Sequence, residues 1–263
     1  MSTEGEPILR VEKLDKSFGG IKAVHEVNLE LGAKEFLGLI GPNGSGKTTL
    51  VNLITGFVKA DSGRVIYKGK DITGKAPNVI AVLGIGRTFQ MVRLFRDLPA
   101  FKNVVISLYS PRVAKRLKGG EYGERDDMAI DLLDEMGFER DSSVPYKMAS
   151  SLPHGYLKRL DLARALALRP DLLILDELFS GMAMSEVAAT VPLLERLSDE
   201  GLPIIMIEHR TRELFRMADR VIVLDFGAKI AEGSPREIIN NQKVKEAYLG
   251  VTTVYHSKTG LAF

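Results

Sequence analysis

Two hydrophobic patterns alternate along this chain. The first is typical of β-strands: residues 27–31 alternate apolar and polar side chains, as in a strand buried on one face. Residues 8–11 and a hairpin-like stretch at residues 64–71 belong with it. Further segments are almost wholly apolar, which is typical of strands buried on both faces of a parallel sheet. These segments are residues 36–40, 172–175, 203–207 and 221–224.

The second pattern is the three-to-four-residue spacing of apolar side chains along amphipathic helices. It predicts helices over residues 48–54, 125–136, 162–168, 187–197, 211–218 and 235–249. Because strands and helices alternate, the sequence predicts an α/β fold, in which a mostly parallel sheet is covered by helices on both faces.

We expect one domain over residues 1–263. Its strand–helix core would occupy about residues 8–90 and 161–250, and a helical insertion over about residues 91–160 would interrupt it. Inside the insertion, residues 111–124 are basic and contain glycine, which predicts an exposed loop. The tail, residues 251–263, carries no pattern that predicts a structure.

Composition excludes several chemistries. Apolar residues make up 45% of the 263 residues and charged residues 27%, as in ordinary globular proteins. The net charge of +2 is small, so no nucleic-acid partner is predicted. The chain has no Cys, which excludes disulfides and thiol nucleophiles, and its four His residues lack metal-ligand spacing.

The sequence also bears on membrane association. No apolar run approaches the roughly 20 residues that a membrane-spanning helix needs. The polar, acidic N-terminus lacks the pattern of a secretory signal. We therefore expect a cytoplasmic chain that reaches a membrane only through a partner.

The first chemical motif is the string GPNGSGKTT at residues 41–49, which lies between an apolar strand and a helix. It fits G-x-x-x-x-G-K-[ST], the phosphate-binding P-loop. Glycines let backbone N–H groups turn around an anion, and the helix N-terminus adds unpaired donors. Lys47 would reach the β- and γ-phosphates, and the Thr48 hydroxyl would bind Mg²⁺. The alternative is a chance match in a glycine-rich turn.

The second motif is LLILDE at residues 172–177, an apolar strand that ends in two acids. Ligands of α/β folds bind at the carboxyl ends of the strands, so both carboxylates are candidates for a nucleotide site. In this Walker B pattern Asp176 would hold Mg²⁺ through water, and Glu177 would orient and deprotonate the attacking water. The alternative is a strand that runs into an acidic, solvent-facing turn.

The third motif carries a family resemblance. The string LPHGYLKRLDLARALA at residues 152–167 resembles the signature segment of ATP-binding-cassette (ABC) ATPases. The P-loop, Gln90, this segment, the Walker B strand and His209 follow that family's order, and the resemblance covers about residues 8–250. It implies a RecA-like P-loop NTPase fold with an antiparallel β subdomain and a helical subdomain.

The resemblance also implies a composite site, in which two cassettes enclose two ATP molecules between one chain's P-loop and the other chain's signature segment. Phe18 would stack on adenine, Gln90 would touch Mg²⁺ and the attacking water, and His209 would contact the γ-phosphate. The implied nucleotide contacts are Phe18, Gly41, Asn43, Gly44, Ser45, Gly46, Lys47, Thr48, Thr49, Gln90 and Gly155. The implied Mg²⁺ ligands are Thr48, Gln90 and Asp176, and the implied catalytic groups are Glu177, His209 and Lys47.

From the residues alone, ordinary structural roles stay open for several of these positions. Phe18 also fits a buried aromatic in a turn, Gln90 a polar surface residue, and His209 a satisfied structural histidine. Residues 91–105 would face a membrane subunit by the resemblance, or would form an ordinary amphipathic helix.

Finer motifs resemble the ATPases of branched-chain amino-acid importers. They are GIGRTFQ (residues 84–90), VRLF (92–95), IEH (207–209), ADRVIVLD (218–225) and the ending AEGSP…EAYLG (231–250). This resemblance implies a homodimer, or a heterodimer with a paralogous ATPase, on the inner face of the plasma membrane. Separate permease subunits and, indirectly, a substrate-binding protein would be its partners. The cargo would be branched-chain or other hydrophobic amino acids, or a related small solute.

Departures from the family pattern lie on the surfaces that would meet in the dimer. Pro153, His154 and Tyr156 replace Ser, Gly and Gln of the signature, Leu178 replaces Pro, and Ala183 replaces Asn or Asp of the loop that crosses the dimer. These changes leave an alternative open, a nucleotide-binding regulatory module with weakened hydrolysis. Cassette ATPases of DNA repair or translation are disfavoured, because the chain has one cassette and little net charge.

Overall fold

The computed structural model describes residues 6–115 and 124–249. Its elements, in chain order, are β1 Leu9–Phe18, β2 Ile21–Leu31, β3 Phe36–Ile40, α1 Lys47–Ile54, β4 Ser62–Tyr67, β5 Lys70–Asp71, α2 Pro77–Leu83, β6 Ile85–Arg87, α3 Ala100–Leu108, α4 Pro111–Ala114, α5 Glu124–Glu135, α6 His154–Ala167, β7 Leu172–Asp176, α7 Met184–Asp199, β8 Ile204–Ile207, α8 Thr211–Met217, β9 Arg220–Asp225, β10 Ala228–Gly233, α9 Pro235–Asn240 and α10 Gln242–Leu249. Two short 3-10 turns, Val144–Tyr146 and Ala149–Ser151, precede α6.

Within the described residues, the central sheet has the strand order β10-β9-β3-β8-β7-β6. The strands from β9 to β6 are parallel, and β10 pairs antiparallel with β9. Ile207 of β8 is in register with both Leu39 of β3 and Asp176 of β7. The carboxyl ends of these three strands therefore meet at one edge, and the segments that carry the candidate chemistry follow there.

The central sheet lies between two apolar cores. On one side Leu37 and Leu39 of β3 pack with α1 and with an antiparallel sheet of order β2-β1-β4-β5. On the other side Phe36 and Ile40 pack with α3, α5, α6 and α7. Successive side chains of a strand point to opposite faces, so a run of apolar residues in β3 is buried on both. The sheet is mostly parallel and covered on both faces, as the hydrophobic pattern predicts.

The helix of the signature segment is longer than predicted. α6 is a single helix from His154 to Ala167, so it crosses the boundary placed at residues 160 and 161 between helical insertion and core. The helix extends this far because residues along nearly all of its length, from Gly155 to Ala167, are buried. This helix therefore belongs both to the helical region and to the core against which it packs.

Other boundaries differ for local reasons. Residues 91–99 are not helical, because the buried Asn103 bonds to the main chain of Phe95 and holds that segment as a turn, and α3 begins only at Ala100. The helix predicted over residues 235–249 is two helices, separated at Asn241. Part of the loop predicted at residues 111–124 forms α4; residues 116–123 and the tail, 251–263, lie outside the described residues. Among the described helices, none has the length and apolar character needed to cross a bilayer.

Candidate nucleotide-binding site

The glycine-rich loop joins β3 to α1 and turns sharply at Gly46. This residue is the N-cap of α1 and adopts a φ of 101°. A Cβ atom there would lie 2.2 Å from the carbonyl oxygen of Ala23 in β2, so the loop can approach β2 only with glycine at this position. The loop therefore delivers the first turn of α1, whose N–H groups have no partner within the helix, to the sheet edge.

Lys47 folds its ammonium into the loop. Its Nζ donates hydrogen bonds to the carbonyl oxygens of Gly41, at 2.8 Å, and Pro42, at 2.9 Å. The side chain is almost fully buried, and this burial lowers the pKa of Lys47, against the opposing effect of Glu177 and Asp176. The ammonium is thus held inside the loop, close to the unpaired N–H groups of α1, and its positive charge suits a polyanion such as a triphosphate.

One cavity of about 510 Å³ brings most of the predicted residues together. It is lined by Ala23, Asn43, Gly44, Ser45, Gly46, Lys47, Thr48, Thr49, Gln90, Glu177 and His209. Every residue of this set except Ala23 is predicted from the sequence. Four separate segments thus converge on one space: the glycine-rich loop and the residues that follow β6, β7 and β8.

Glu177 is held from two sides inside this cavity. Its Oε2 accepts a hydrogen bond from Gln90 Nε2 at 2.9 Å, and its Oε1 lies 3.1 Å from His209 Nε2. The backbone of Glu177 has a φ of 50°, which is strained for a residue with a side chain, and its N–H donates to Ile207 O. The carboxylate is therefore fixed next to the P-loop in the position expected of a general base.

Asp176 ends β7 and lies behind the cavity, with 1% of its surface exposed. Its Oδ2 is paired with Arg87 at 2.8 Å, whereas its Oδ1 is buried and has no hydrogen-bond partner in the described residues. Burial raises the pKa of Asp176, although Arg87 opposes this. A buried, unpaired carboxylate oxygen beside a phosphate loop fits a cation held through water.

The residues present are suited to Mg²⁺ that is bound together with phosphates. Thr48 and Gln90 line the same cavity and offer a hydroxyl and an amide oxygen. Among the described residues, no group of three or more His, Cys, Asp or Glu side chains could hold a metal ion. Mg²⁺ usually binds through one or two carboxylates plus substrate phosphates, which agrees with this sparse donor set.

Three predicted contacts, Gly41, Phe18 and Gly155, do not line the cavity. The carbonyl oxygen of Gly41 instead accepts a hydrogen bond from Lys47 Nζ. Phe18, at the end of β1, is 48% exposed and does not line the cavity, so the alternative of a buried aromatic is wrong. Gly155 lies in the first turn of α6, and a Cβ atom there would be 1.9 Å from Glu186 Oε1. Gly155 does not line the cavity of its own chain, as expected if it serves a second chain.

The positions that depart from the family pattern have structural roles. Pro153 is the N-cap of α6, where its missing N–H costs nothing, and Tyr156 packs edge-on against Phe138, with ring centroids 5.0 Å apart. Leu178 is buried in the core. Ala183 is the N-cap of α7 and offers no side-chain acceptor to the helix.

Comparison with known proteins decides the family. The chain matches the family model described as ABC transporter over residues 24–180. It also matches a model described as branched-chain amino acid ATP-binding cassette transporter over residues 228–252. The chain belongs to the ABC transporter family. It is an ATPase of that family, as the resemblance of the signature segment implies.

The relatives of this ABC ATPase are ATP-binding subunits. The high-affinity branched-chain amino acid transport ATP-binding protein LivG of Escherichia coli K12 is 34% identical over 259 residues, covering 93% of this chain and 98% of LivG. BraF of Pseudomonas aeruginosa, with the same description, is 34% identical over 253 residues, covering 93% and 98%. The lipopolysaccharide export system ATP-binding protein LptB of Haemophilus influenzae is 32% identical over 243 residues, covering 92% and 97%.

Solved structures of cassettes have the same fold. The ADP conformation of MJ1267, an ATP-binding cassette of an ABC transporter, superposes with a TM-score of 0.80 at 32% identity, covering 94% of this chain and all of that one. A dimeric post-hydrolysis state of the cassette MJ0796, bound to ADP and Pi, gives 0.77 at 25% identity, covering 87% and 99%. The predicted fold class is confirmed.

Sequence reasoning missed two buried cations of the ATPase. Arg87 pairs with Asp176, and Lys158 donates to the main-chain carbonyls of Gln90 and Glu177. Arg87 lies in an otherwise apolar segment, residues 80–89, and a cation in such a segment signals a buried partner. Lys158 gave no such signal, because the signature segment contains several cations.

Proposed function

We propose that this ABC ATPase binds MgATP and hydrolyses it to drive solute uptake through separate permease subunits of an importer. The observation that carries the proposal is the pair of contacts that Gln90 and His209 make with Glu177, in the cavity formed by the P-loop. A polyanion site and a positioned general base in one cavity are what hydrolysis of a triphosphate requires.

The residues divide the work as follows. Lys47 and the loop N–H groups bind the β- and γ-phosphates, and His209 contacts the γ-phosphate. Glu177 accepts a proton from a water molecule that Gln90 helps to orient, and this water attacks the γ-phosphorus in line. Thr48, Gln90 and, through water, Asp176 would hold Mg²⁺, which would neutralise phosphate charge when bound. Positioning and charge stabilisation are the main contributions that proteins make to phosphoryl transfer.

The site is completed by a second cassette, either an identical chain or a paralogue. Gly155 supports this, because it lies at the N-terminus of α6 and away from the cavity of its own chain. A helix N-terminus supplies N–H donors to an anion, so α6 of one chain can contact the γ-phosphate bound to the other. Phe18 remains the proposed contact of adenine. Its exposed ring is available for stacking.

The proposed cargo is a branched-chain or other hydrophobic amino acid, delivered by a substrate-binding protein to permeases in the plasma membrane. The names of LivG and BraF support this cargo, and the match over residues 228–252 supports the same branch. The ATPase would lie on the inner face of that membrane. The alternative function, a regulatory module, gains no support from any relative described above.

The test uses the purified ATPase with permease subunits of a branched-chain amino acid importer from the same organism, in proteoliposomes that also receive the binding protein. We expect Mg²⁺-dependent phosphate release that is accelerated by the permease, together with uptake of radiolabelled leucine. Lys47→Ala is the matched control, which should abolish both. If ATP binds but no phosphate is released, either with or without the permease subunits, the regulatory module is favoured instead. Turnover without leucine uptake would reject only the proposed cargo.

A further inference from the structure

Side chains on one face of α6 hydrogen-bond to the main chain of the loop that carries Gln90. These side chains, at positions i, i+3 and i+6, are Lys158, Asp161 and Arg164, which share one side of a helix. The contacts are Lys158 Nζ to Gln90 O at 2.9 Å, Phe89 N to Asp161 Oδ2 at 2.9 Å, and Arg164 Nη1 to Arg93 O. The loop after β6 is thus fastened to the signature helix on both sides of Gln90.

Of these three side chains, Lys158 also contacts the main chain of Glu177, the proposed general base. Its Nζ donates a second hydrogen bond, of 2.9 Å, to the carbonyl oxygen of Glu177. The ammonium therefore joins the main chains of two residues whose side chains already contact each other, Gln90 and Glu177. The side chain is 1% exposed, so water cannot replace either bond.

A lysine at such a position carries an energetic cost that the apolar residues of the core do not. Burial lowers the pKa of Lys158, and the nearby carboxylates of Asp161 and Glu208 oppose that shift. Removing the side chain would leave two buried carbonyl oxygens without this donor. The arrangement is therefore specific: an apolar side chain of similar length could fill the space but could not hold the two loops.

The place of Lys158 along α6 links the two kinds of site. It lies one helical turn after Gly155, which the proposed function assigns to the nucleotide of the opposite chain. An α-helix moves as a rigid unit over one turn, so a displacement of its N-terminus displaces the Lys158 ammonium with it. That ammonium is hydrogen-bonded to the carbonyl oxygens of Gln90 and Glu177, whose side chains line the nucleotide site of the same chain.

We propose that Lys158 is a positioning residue that couples the signature helix to Gln90 and Glu177 of its own chain, so that contact of α6 with the partner's nucleotide aligns the hydrolytic groups of this chain's nucleotide. This inference rests on the proposed function. It predicts that loss of the ammonium slows hydrolysis and spares ATP binding, since Lys158 does not line the cavity.

The experiment compares wild type, Lys158→Met, Lys158→Gln and Arg112→Met in the permease-coupled assay. Arg112 is the matched control, because it too is a largely buried cation that donates to main-chain carbonyls, those of Leu83 and Arg169, away from the cavity. For Lys158→Met we expect kcat to fall at least about tenfold while the Kd for a fluorescent ATP analogue changes less than about threefold, as misplaced catalytic groups predict. Lys158→Gln, which keeps one donor group, should have a kcat between those of wild type and Lys158→Met.

The outcomes separate the two proposals. Wild-type chain without turnover would defeat the proposed function and leave nothing for Lys158 to couple. If wild type turns over and both Lys158→Met and Lys158→Gln keep a kcat within about twofold of it, the role of Lys158 is overturned. The same holds if Arg112→Met is as slow as Lys158→Met. A further readout is a double-mutant cycle of Lys158→Met with Gln90→Ala. If Lys158 acts through Gln90, Lys158→Met should reduce kcat by a smaller factor in the Gln90→Ala variant than in wild type. If Lys158→Met does not fold, Lys158→Gln serves in the same cycle.

Discussion

Arg87 and Asp176 form an ion pair that is almost wholly enclosed at the carboxyl edge of the central sheet. Arg87 Nη2 lies 2.8 Å from Asp176 Oδ2, and the two side chains are 6% and 1% exposed. Arg87 Nη1 also donates to Asn52 and Thr55 at α1. The pair therefore ties β7 to the helix of the P-loop and uses one oxygen of Asp176, leaving the other for a cation.

Arg87→Met should destabilise the ATPase and weaken its response to Mg²⁺. Breaking a buried pair leaves an uncompensated charge and costs about 3–5 kcal/mol. The carboxyl of Asp176 would then be harder to ionise, so a higher Mg²⁺ concentration should be needed for half-maximal activity. Urea unfolding and a Mg²⁺ titration of phosphate release measure the two effects.

The control for Arg87→Met is the double variant with Asp176→Asn, which also removes the unpaired charge. It should recover part of the lost stability without recovering activity, because the amide cannot replace the carboxylate at the cation. If the two substitutions reduce the free energy of unfolding additively, the pair contributes little and this account of Arg87 is wrong.

Glu177→Gln should keep ATP binding and lose hydrolysis. The amide can still bond to Gln90 and His209, so the geometry is preserved, but it cannot accept the proton of the attacking water. Loss of a general base typically costs about 10²–10⁴-fold in kcat. Single-turnover phosphate release measures the loss, and size-exclusion chromatography in MgATP should show an accumulated dimer. Turnover at the wild-type rate would remove Glu177 from the catalytic role.

The sequence predicted the cavity more completely than the contacts behind it. The P-loop could be identified because its residues are contiguous and its chemistry depends on local backbone shape. Gln90 and His209 were found by family resemblance alone, since nothing local marks them. Arg87 and Lys158 were missed because their partners, Asp176 and Glu177, lie 89 and 19 residues away along the chain. The pairing of β6 with β7 brings Arg87 to Asp176, and the packing of α6 brings Lys158 to Glu177.

The fold shows the same division between local and tertiary causes. Four strands of the central sheet, β3, β7, β8 and β9, were predicted because burial on both faces demands continuous apolar runs. The two edge strands, β6 and β10, were missed, because β6 has only three residues and β10 is only partly buried. The start of α6 was missed by eight residues, because Pro153 marks the N-cap while the polar His154 and Lys158 hide the helical periodicity. The turn at residues 91–99 depends on Asn103, whose role appears only when its side chain meets that loop.

Ala183→Asn should stabilise the start of α7. Ala183 has the extended backbone of an N-cap, with φ of −66° and ψ of 155°, but no acceptor for the first-turn N–H groups. Glu186 already accepts from Ala183 N at 2.9 Å, so one half of a capping box is present. Adding the other half should raise the free energy of unfolding by about 0.5–2 kcal/mol.

The capping effect can be separated from added bulk by urea unfolding of Ala183→Leu, which has a side chain of similar size without an acceptor. Ala183 is exposed, so neither substitution meets a steric barrier in the single chain. Ala183→Leu should leave stability unchanged within about 0.5 kcal/mol. Equal stabilisation by both variants would contradict capping as the cause.

Glu208, next to His209, should make the stability of the ATPase depend on pH. It is 3% exposed, and burial raises its pKa to about 7, although the N–H of Phe179 donates to it. The pKa is higher in the folded chain than the ordinary glutamate value of 4.5, so both states carry the proton at low pH and the stabilisation is complete there. As pH rises from about 4.5 to about 7, the unfolded chain ionises first, and this contribution to stability is lost.

The free energy of unfolding of wild type, measured relative to Glu208→Gln, should therefore fall between pH 4.5 and pH 7 and level off above it. The full change should be on the order of 3 kcal/mol. Glutamine does not titrate but keeps the acceptor for Phe179, so the difference between the two unfolding curves isolates the carboxyl. The control is Glu200→Gln, the same substitution at an exposed position. A flat difference for Glu208→Gln would mean that its carboxyl ionises as readily in the folded chain as in the unfolded one.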